Sequence, residues 1–111
     1  MIDKSLIQRA ANGDPSAQRT LYDAHVDRIY RLAFRMAGDD DLARDFTQET
    51  FIRAFSRLQD FRGDSAFSTW LHTIATTVSL NGLRKVRRIR TREEGIESAD
   101  ALGARLVSHW R

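Results

Sequence analysis

The chain has 111 residues, of which 41% are hydrophobic and 30% are charged, and its net charge is +3. This length suits one domain, and no apolar run approaches the roughly 20 residues of a membrane span, so we expect a soluble protein without membrane insertion. The absence of cysteine excludes disulfides and thiolate metal sites, and the N-terminus lacks the apolar core of a secretory signal, which together favour a cytoplasmic location.

The basic residues are concentrated in one segment. Residues 62–92 hold seven Lys or Arg against one acidic residue, whereas residues 1–61 and 93–111 are each slightly acidic. A concentrated positive charge indicates a polyanionic partner, because phosphates that are neutralised by Arg or Lys release their counterions. Nucleic acid is the leading candidate, and an acidic protein or an anionic membrane surface is the alternative.

Helix signals follow one another along the chain and strand signals are nearly absent, which predicts an all-α fold, a compact bundle of three to four helices. The first helix follows a cap at Asp3 and ends at Gly13. The second begins with a cap at Asp14 and a first-turn proline at Pro15, and Gly38 ends it.

The third helix starts in the acidic run at residues 39–41, which suits the positive end of the helix dipole, and is expected to extend to about Gln59. A loop follows, and the fourth helix begins near residues 65–68 and turns basic after Leu83.

The C-terminal residues are predicted to lie outside the bundle. Residues 93–100 are polar and predict a flexible linker, and residues 101–111 predict a weak helix. We therefore place the domain at residues 1–92 and a linker or tail at residues 93–111.

The third helix has two different faces. Its core face collects Ala43, Phe46, Thr50, Phe51, Ala54, Phe55 and Leu58. The opposite face collects Asp45, Gln48, Glu49, Ile52 and Ser56. Ile52 is either a single apolar residue on an ordinary surface, which is common, or the anchor of a docking site with a polar rim. Spacing alone favours the ordinary surface.

The fourth helix is predicted to bury Phe67, Trp70, Leu71, Ile74, Ala75 and Val78. Its outer face would carry Thr73, Thr76, Leu80, Leu83, Arg84 and Arg87. Phe67 and Trp70 could instead stack on bases, but their helical spacing favours the core.

Six basic residues fall within nine positions near the end of this helix: Arg84, Lys85, Arg87, Arg88, Arg90 and Arg92. A basic run is often only a solvated helix end. The density of this one favours nucleic acid, with arginines on phosphates and small hydroxyls near base edges.

The sequence lacks the patterns of catalytic and metal sites. His25 and His72 have no carboxylate or second histidine at ligand spacing, and no glycine-rich phosphate loop or nucleophile motif is present. We therefore expect no enzyme activity, no cofactor and no metal.

Two stretches closely resemble region 2 of the extracytoplasmic-function sigma factors: QETFIRAF at residues 48–55 and FRGDSAFSTWL at residues 61–71. The basic helix end follows at the family's spacing, and the resemblance runs from about residue 6 to residue 88. It implies an alternative sigma factor domain that binds core RNA polymerase and recognises and helps melt the promoter minus-10 element to initiate transcription.

In that family the third helix docks on the clamp helices of the beta-prime subunit, which implies a core-polymerase-binding face of Asp45, Gln48, Glu49 and Ile52. The loop and fourth helix recognise the non-template strand of the minus-10 element and hold an extruded base. Together with the basic helix end, this implicates in DNA binding Arg62, Asp64, Ser65, Ala66, Phe67, Thr73, Thr76, Thr77, Leu80, Arg84, Arg87 and Arg88. An anti-sigma factor is a further implied partner.

The chain departs from the family in two places. Thr77 stands where many members have an asparagine that lines the base pocket, so the preferred base is left open. Primary sigma factors have a tryptophan pair at Thr73 and Ile74, and its absence here resembles the alternative factors. The family's second domain, which recognises the minus-35 element, has no counterpart before Arg111, so the chain is either a shortened form or a natural one-domain variant.

Two other functions remain open from the sequence. One is a stand-alone nucleic-acid-binding helical protein in which only the basic helix matters. The other is a helical interaction regulator whose basic helix binds an acidic protein.

Overall fold

The computed structural model describes the backbone of residues 4–96 and the side chains of residues 4–93. Its elements in chain order are α1 (Lys4–Ala11), α2 (Pro15–Ala37), α3 (Asp40–Ser56), a short 3₁₀ helix (Leu58–Asp60) and α4 (Phe67–Ile96). The described residues contain no strand, which confirms the predicted all-α bundle. The predicted cap at Asp3 and the helix predicted for residues 101–111 lie outside the described residues.

Local capping sets both ends of α2, as predicted. The Asp14 carboxylate accepts hydrogen bonds from the backbone N–H groups of Ser16 (2.9 Å) and Ala17 (3.4 Å), which satisfies free donors of the first turn. At the other end Gly38 adopts a left-handed φ of 66° and donates its N–H to the Phe34 carbonyl. Because α2 ends at Ala37 and α3 begins at Asp40, the connection between these two helices is short.

The third helix begins as predicted but ends earlier. Asp39 caps it by accepting from the Leu42 N–H at 2.9 Å. The helix stops at Ser56, three residues before the predicted end, and the chain continues as the 3₁₀ helix. The tighter turn buries Leu58 and lets the Gln59 side chain donate to the Ala11 carbonyl at 3.2 Å, so tertiary contacts replace the last helical turn.

The core consists of two adjoining clusters of buried side chains. The larger one joins all four helices and the 3₁₀ helix, and it includes Leu6, Leu21, Ile29, Phe51, Leu58 and Leu71. The smaller one comprises Ala33, Ala43, Phe46 and Val78. Ile74 packs against both clusters, which therefore form one connected core.

The predicted inner face of α4 is confirmed, but two residues predicted on its outer face, Thr76 and Leu83, are half-buried. Leu83 was expected to point outward, but it is half-buried against the smaller cluster. The helical wheel misplaced it because the helix continues along α3, where Leu42 also joins that cluster. The side chain therefore has a neighbour that the periodicity of α4 alone does not reveal.

The fourth helix also extends further than predicted, to Ile96. Residues 93–96 were expected to begin a linker, but they are helical. Glu and Arg are good helix formers, and Val86 and Ile89 line a groove with Leu42 at the start of α3. The rest of the predicted linker, residues 97–100, lies outside the described residues.

A close approach of α3 and α4 depends on a glycine. Ala75, Ser79 and Gly82 recur at spacings of four and three on α4, which places small side chains along one face. A Cβ atom added at Gly82 would overlap the ring of Phe46, which is buried on α3. The absence of a side chain at Gly82 therefore gives the Phe46 ring its space.

We expect Phe46→Ala to lower the free energy of unfolding by about 3–5 kcal/mol, because the change removes a buried ring. Gly82→Ala should destabilise the unchanged protein through steric overlap, by about 1–3 kcal/mol. In the Phe46→Ala background the same change should instead stabilise, since alanine is favoured over glycine in a helix by about 1 kcal/mol. Urea unfolding of the four proteins measures all three values.

The decisive result is the sign of the stability change that Gly82→Ala causes, which should be opposite in the two backgrounds. If Gly82→Ala stabilises both backgrounds equally, the two residues are not in contact. If Phe46→Ala lowers the free energy of unfolding by less than about 1 kcal/mol, the Phe46 ring is not buried in the core, because removing a buried ring costs more than this.

Candidate functional site

The four predicted docking residues, which we call the α3 strip (Asp45, Gln48, Glu49 and Ile52), lie together on the outer face of α3. Their spacing of three and four residues makes them neighbours on one helix face. Asp45 and Gln48 are exposed, and the Ile52 side chain is 60% exposed, the most of any large hydrophobic residue that the structure describes. The strip therefore presents one uncovered apolar side chain within a polar rim.

One member of the α3 strip is held by an ion pair. Arg53 Nε lies 2.8 Å from Glu49 Oε2, one turn along the helix. Both side chains are partly exposed, and such pairs contribute about 0–1 kcal/mol to stability. The pair orients the Glu49 carboxylate, and it was detectable in the sequence from the i,i+4 spacing.

A second polar network, which the sequence analysis missed, joins α2 to the start of α3. The Tyr30 hydroxyl donates to Asp40 Oδ1, and Arg44 Nε pairs with Asp40 Oδ2 at 3.0 Å. The Tyr30 hydrogen bond lowers the pKa of Asp40, and the same bond raises the pKa of Tyr30. Asp40 therefore stays ionised and Tyr30 stays a neutral donor near physiological pH. The Asp40–Arg44 spacing was visible in the sequence, whereas the Tyr30 contact is tertiary.

The predicted DNA-binding loop (residues 62–66) projects between two aromatic rings that touch each other. Phe61 precedes the loop and Phe67 follows it, and their ring centroids are 5.9 Å apart at right angles. Trp70 contacts both rings, at 5.1 Å and 5.7 Å. Residues 62–66 are all exposed. The aromatic contacts close the base of the loop and leave its five residues in solvent.

Gly63 sets the path of this loop. Its φ of 81° lies in the left-handed region, which other residues adopt only with strain. No atom crowds the position where a Cβ would be, so backbone conformation is what favours glycine there.

Phe67 is the one buried residue among those predicted to bind DNA. Its side chain is 6% exposed and its ring packs against the edge of His25 at 5.1 Å. His25 Nδ1 lies 2.8 Å from the Leu21 carbonyl, so this nitrogen carries the proton that it donates. We therefore expect Phe67 to position the loop from beneath, with His25 as its packing partner.

The predicted DNA-binding residues of α4 share one side of the helix. We call this set the outer face of α4: Thr73, Thr76, Thr77, Leu80, Arg84, Arg87 and Arg88. Thr76 is half-buried and the other six are exposed. At a rise of about 1.5 Å per residue the face is about 22 Å long.

The threonine hydroxyls of this face are already engaged as donors. Thr73, Thr76 and Thr77 each donate to the backbone carbonyl four residues earlier, at 3.0–3.1 Å. Each hydroxyl therefore offers lone pairs to a ligand and each side chain exposes a methyl group. Helical periodicity predicted Thr73 and Thr76 on the outer face, and the family resemblance added Thr77. Neither showed that the hydroxyl protons are already donated to backbone carbonyls.

The arginines of α4 do not cap the helix end. Arg84, Arg87 and Arg88 are exposed, and the last turn of α4 contains no basic residue. A favourable interaction with the C-terminal end of the helix dipole, which acts over about one turn, therefore does not account for them. No ion pair engages these three arginines within the described part of the chain.

Among the described residues no three histidine or acidic side chains are grouped as metal ligands would be. None of the described helices combines the length and the apolar character that a membrane span requires.

Comparison with known proteins identifies the family. Residues 21–89 match the family model of sigma-70 region 2. The ECF RNA polymerase sigma factor SigW of Bacillus subtilis is 39% identical over 85 residues, which cover 77% of this chain and 46% of that protein. SigE of Mycolicibacterium smegmatis is 43% identical over 83 residues (72% and 32%). The sigma-E factor of Haemophilus influenzae is 33% identical over 111 residues (100% and 58%).

The chain spans between about a third and three fifths of the length of these relatives. The family match itself covers most of the described helices, from within α2 to the basic part of α4. This chain therefore belongs to the sigma-70 region 2 family, as its resemblance to extracytoplasmic-function sigma factors predicted.

Proposed function

We propose that this domain binds bacterial core RNA polymerase through the α3 strip and binds the non-template strand of the promoter minus-10 element through the loop and the outer face of α4. It would act as an alternative sigma factor in transcription initiation. The observation that carries the proposal is that two chemically different surfaces are left uncovered by one core: an acidic strip around Ile52 and a basic, threonine-lined helix face.

The α3 strip has the composition of a protein docking site. An apolar anchor surrounded by polar groups is the usual anatomy of such an interface, and burial of Ile52 by a partner would release its hydration water. The acidic groups Asp45 and Glu49 favour a basic partner surface. In the family the corresponding partner is the pair of clamp helices of the beta-prime subunit.

The outer face of α4 has separate parts for phosphates and for bases. Arg84, Arg87 and Arg88 suit phosphate contacts, which supply affinity but little sequence information. The loop suits an unstacked base, because Asp64 can accept from an exocyclic amine and the backbone near Gly63 is accessible. Selectivity therefore belongs mainly to the loop and the first turns of α4.

The partners proposed here place the domain in the cytoplasm, where polymerase and promoter DNA meet. An anti-sigma factor stays a prediction of the resemblance. Co-purification with core polymerase tests the central claim, since a stand-alone nucleic-acid-binding protein would not be retained. Binding to single-stranded minus-10 DNA that falls steeply with salt would argue against a pure interaction regulator.

Replacing Gln48, Glu49 and Ile52 together with alanine should weaken binding to core polymerase about tenfold or more, because these side chains point away from the core and would contact the partner. Fluorescence anisotropy of the labelled chain with core enzyme measures the effect. The helical circular dichroism and the affinity for single-stranded DNA should stay unchanged. Normal core binding by the triple variant would refute this docking face.

Replacing Arg84, Arg87 and Arg88 with glutamine should lower DNA affinity about equally for all sequences. The slope of log affinity against log salt should flatten by roughly 0.7–0.9 for each phosphate that the variant no longer neutralises. A matched control replaces Arg9, Arg19 and Arg57, which are exposed elsewhere and carry the same total charge. A decrease confined to particular sequences would mean that the α4 arginines recognise bases.

Base preference should depend on Thr77 and on the loop. Thr77→Asn should change or sharpen the preferred minus-10 base, because an amide adds a donor where the threonine hydroxyl is committed to the Thr73 carbonyl. Asp64→Ala should relax the preference, and exchange of residues 62–66 with those of another family member should transfer it.

Selection of oligonucleotides with randomised minus-10 sequences, by the chain bound to core polymerase, reads out these preferences. Thr20→Asn on α2 is a control, since this exposed threonine makes the same backbone hydrogen bond away from the DNA surface. If the loop exchange leaves the selected sequence unchanged, base recognition lies elsewhere.

A further inference from the structure

The C-terminal end of α1 is attached to the rest of the domain by two glutamine side chains. Gln18 on α2 donates through its Nε2 to the Ala10 carbonyl at 3.0 Å. Gln59 in the 3₁₀ helix donates through its Nε2 to the Ala11 carbonyl at 3.2 Å, across 48 positions of the sequence. The two bonds reach the same helix end from different elements, so their roles can be compared directly.

Pro15 explains why the Ala11 carbonyl needs a donor from a side chain. The last four carbonyls of a helix have no partner within that helix. In α1 the backbone N–H groups of residues 12–14 donate to three of these four, namely Gln8, Arg9 and Ala10. The Ala11 carbonyl would next accept from residue 15, but proline has no N–H. Gln59 therefore supplies a donor that the backbone lacks at this point.

The 3₁₀ helix carries this bond to the base of the DNA-binding loop. The Phe61 N–H donates to the Leu58 carbonyl at 3.1 Å, and Leu58 is buried in the core. Gln59 lies between these two residues and three positions before Arg62, the first residue of the loop. The position of Gln59 therefore affects the direction in which the chain enters the loop.

The end of α1 and the start of the loop also share one surface depression. Its lining includes Gln8 of α1 and Arg62 and Gly63 of the loop, together with both partners of the bond, Gln59 and Ala11. The bond therefore spans the junction between α1 and the loop. It lies close to Gly63, whose left-handed φ sets the path of the loop.

We infer that Gln59 is a positioning residue for minus-10 recognition, because its bond to the Ala11 carbonyl makes α1 a support for the start of the loop. The inference rests on the proposed function, in which the loop selects the base. Gln59 acts through the backbone that leads to Arg62 and not by touching a base. Without the bond, Leu58 alone holds this turn against α1, so the loop samples more positions and its contacts with a base weaken.

Gln18 provides the matched control for this role. Its bond also ends on a carbonyl of α1 and has a similar length, but it comes from the first turns of α2 and not from the segment before the loop. If attachment of α1 mattered only for stability, loss of either bond would have the same consequence. A positioning role predicts that only loss of the Gln59 bond changes DNA recognition.

The test compares Gln59→Ala with Gln18→Ala in complexes of the 111-residue chain with core polymerase, by their affinity for a labelled single-stranded minus-10 oligonucleotide. Gln59→Ala should weaken DNA binding about two- to tenfold, the factor to which one ordinary net hydrogen bond corresponds. Gln18→Ala should leave DNA binding unchanged. Thermal unfolding should show that both variants are folded, and both should bind core polymerase normally.

Two further measurements separate positioning from direct contact. The slope of log affinity against log salt should be the same for Gln59→Ala and the unchanged chain, because no phosphate contact is lost. The sequence selected from randomised minus-10 oligonucleotides should be less sharply defined with Gln59→Ala. Gln59→Met should behave like Gln59→Ala, since methionine keeps the length of the side chain but cannot donate to the Ala11 carbonyl.

The outcomes distinguish this inference from the proposed function. Equal weakening of DNA binding by Gln18→Ala and Gln59→Ala would mean that the bonds act only through stability, against the inference. DNA binding by Gln59→Ala that equals that of the unchanged chain overturns the inference and leaves the proposed function intact. If the complex of the unchanged chain shows no preference for minus-10 DNA, the proposed function fails and the inference fails with it.

Discussion

The packing of Phe67 against His25, Phe61 and Trp70 connects three parts of the molecule that are distant in sequence. His25 brings in α2, Phe61 ends the segment after α3, and Trp70 belongs to the first turn of α4. Because aromatic rings bury a large apolar area and prefer tilted or edge contacts, this cluster defines where α4 begins. Phe61 and Phe67, which flank the loop, pack into this cluster, whereas residues 62–66 between them are exposed. The fold thus anchors both ends of the loop in the core and leaves its tip accessible.

Structural features that depend only on residues close together in the sequence could be predicted from it. The ends of α2 follow from Asp14, Pro15 and Gly38, because capping acts within one turn. The core face of α3 follows from helical periodicity for the same reason. The end of α3 and the burial of Leu83 were missed, since each is decided by contacts with another part of the chain. The length of α4 was missed because the polar residues 93–96 were interpreted as a linker although Glu and Arg are good helix formers. Gly82 is the clearest case: only the position of the Phe46 ring explains why a glycine lies within a helix there.

The candidate site also has features that the sequence predicted and features that only the family resemblance or the tertiary structure revealed. Periodicity placed Asp45, Gln48 and Ile52 on an outer face, but it could not distinguish a docking strip from ordinary surface, and the family resemblance supplied that interpretation. For Phe67 the helical spacing predicted burial and the resemblance suggested a role in DNA binding. Its position under the loop reconciles the two, because a buried ring can position the loop that a base would contact. The Tyr30–Asp40 bond could not be predicted, since it joins two helices at their surface.

The charges of the two proposed surfaces would also keep the two proposed ligands apart. Phosphates are repelled by Asp45 and Glu49 on α3 and attracted by Arg84, Arg87 and Arg88 on α4. A basic polymerase surface would be attracted to the carboxylates on α3 and repelled by the arginines on α4, so neither proposed ligand would compete well for the other's site. Like-charge contacts of this kind penalise a wrong partner even where shape would allow it. Arg84, Arg87 and Arg88 make no ion pair with the described residues, so these three cations need not leave such a carboxylate before they meet DNA. The net charge of +3 therefore hides a separation of charge, with carboxylates on the outer face of α3 and arginines on α4, and this separation would let one small domain hold polymerase and promoter at once.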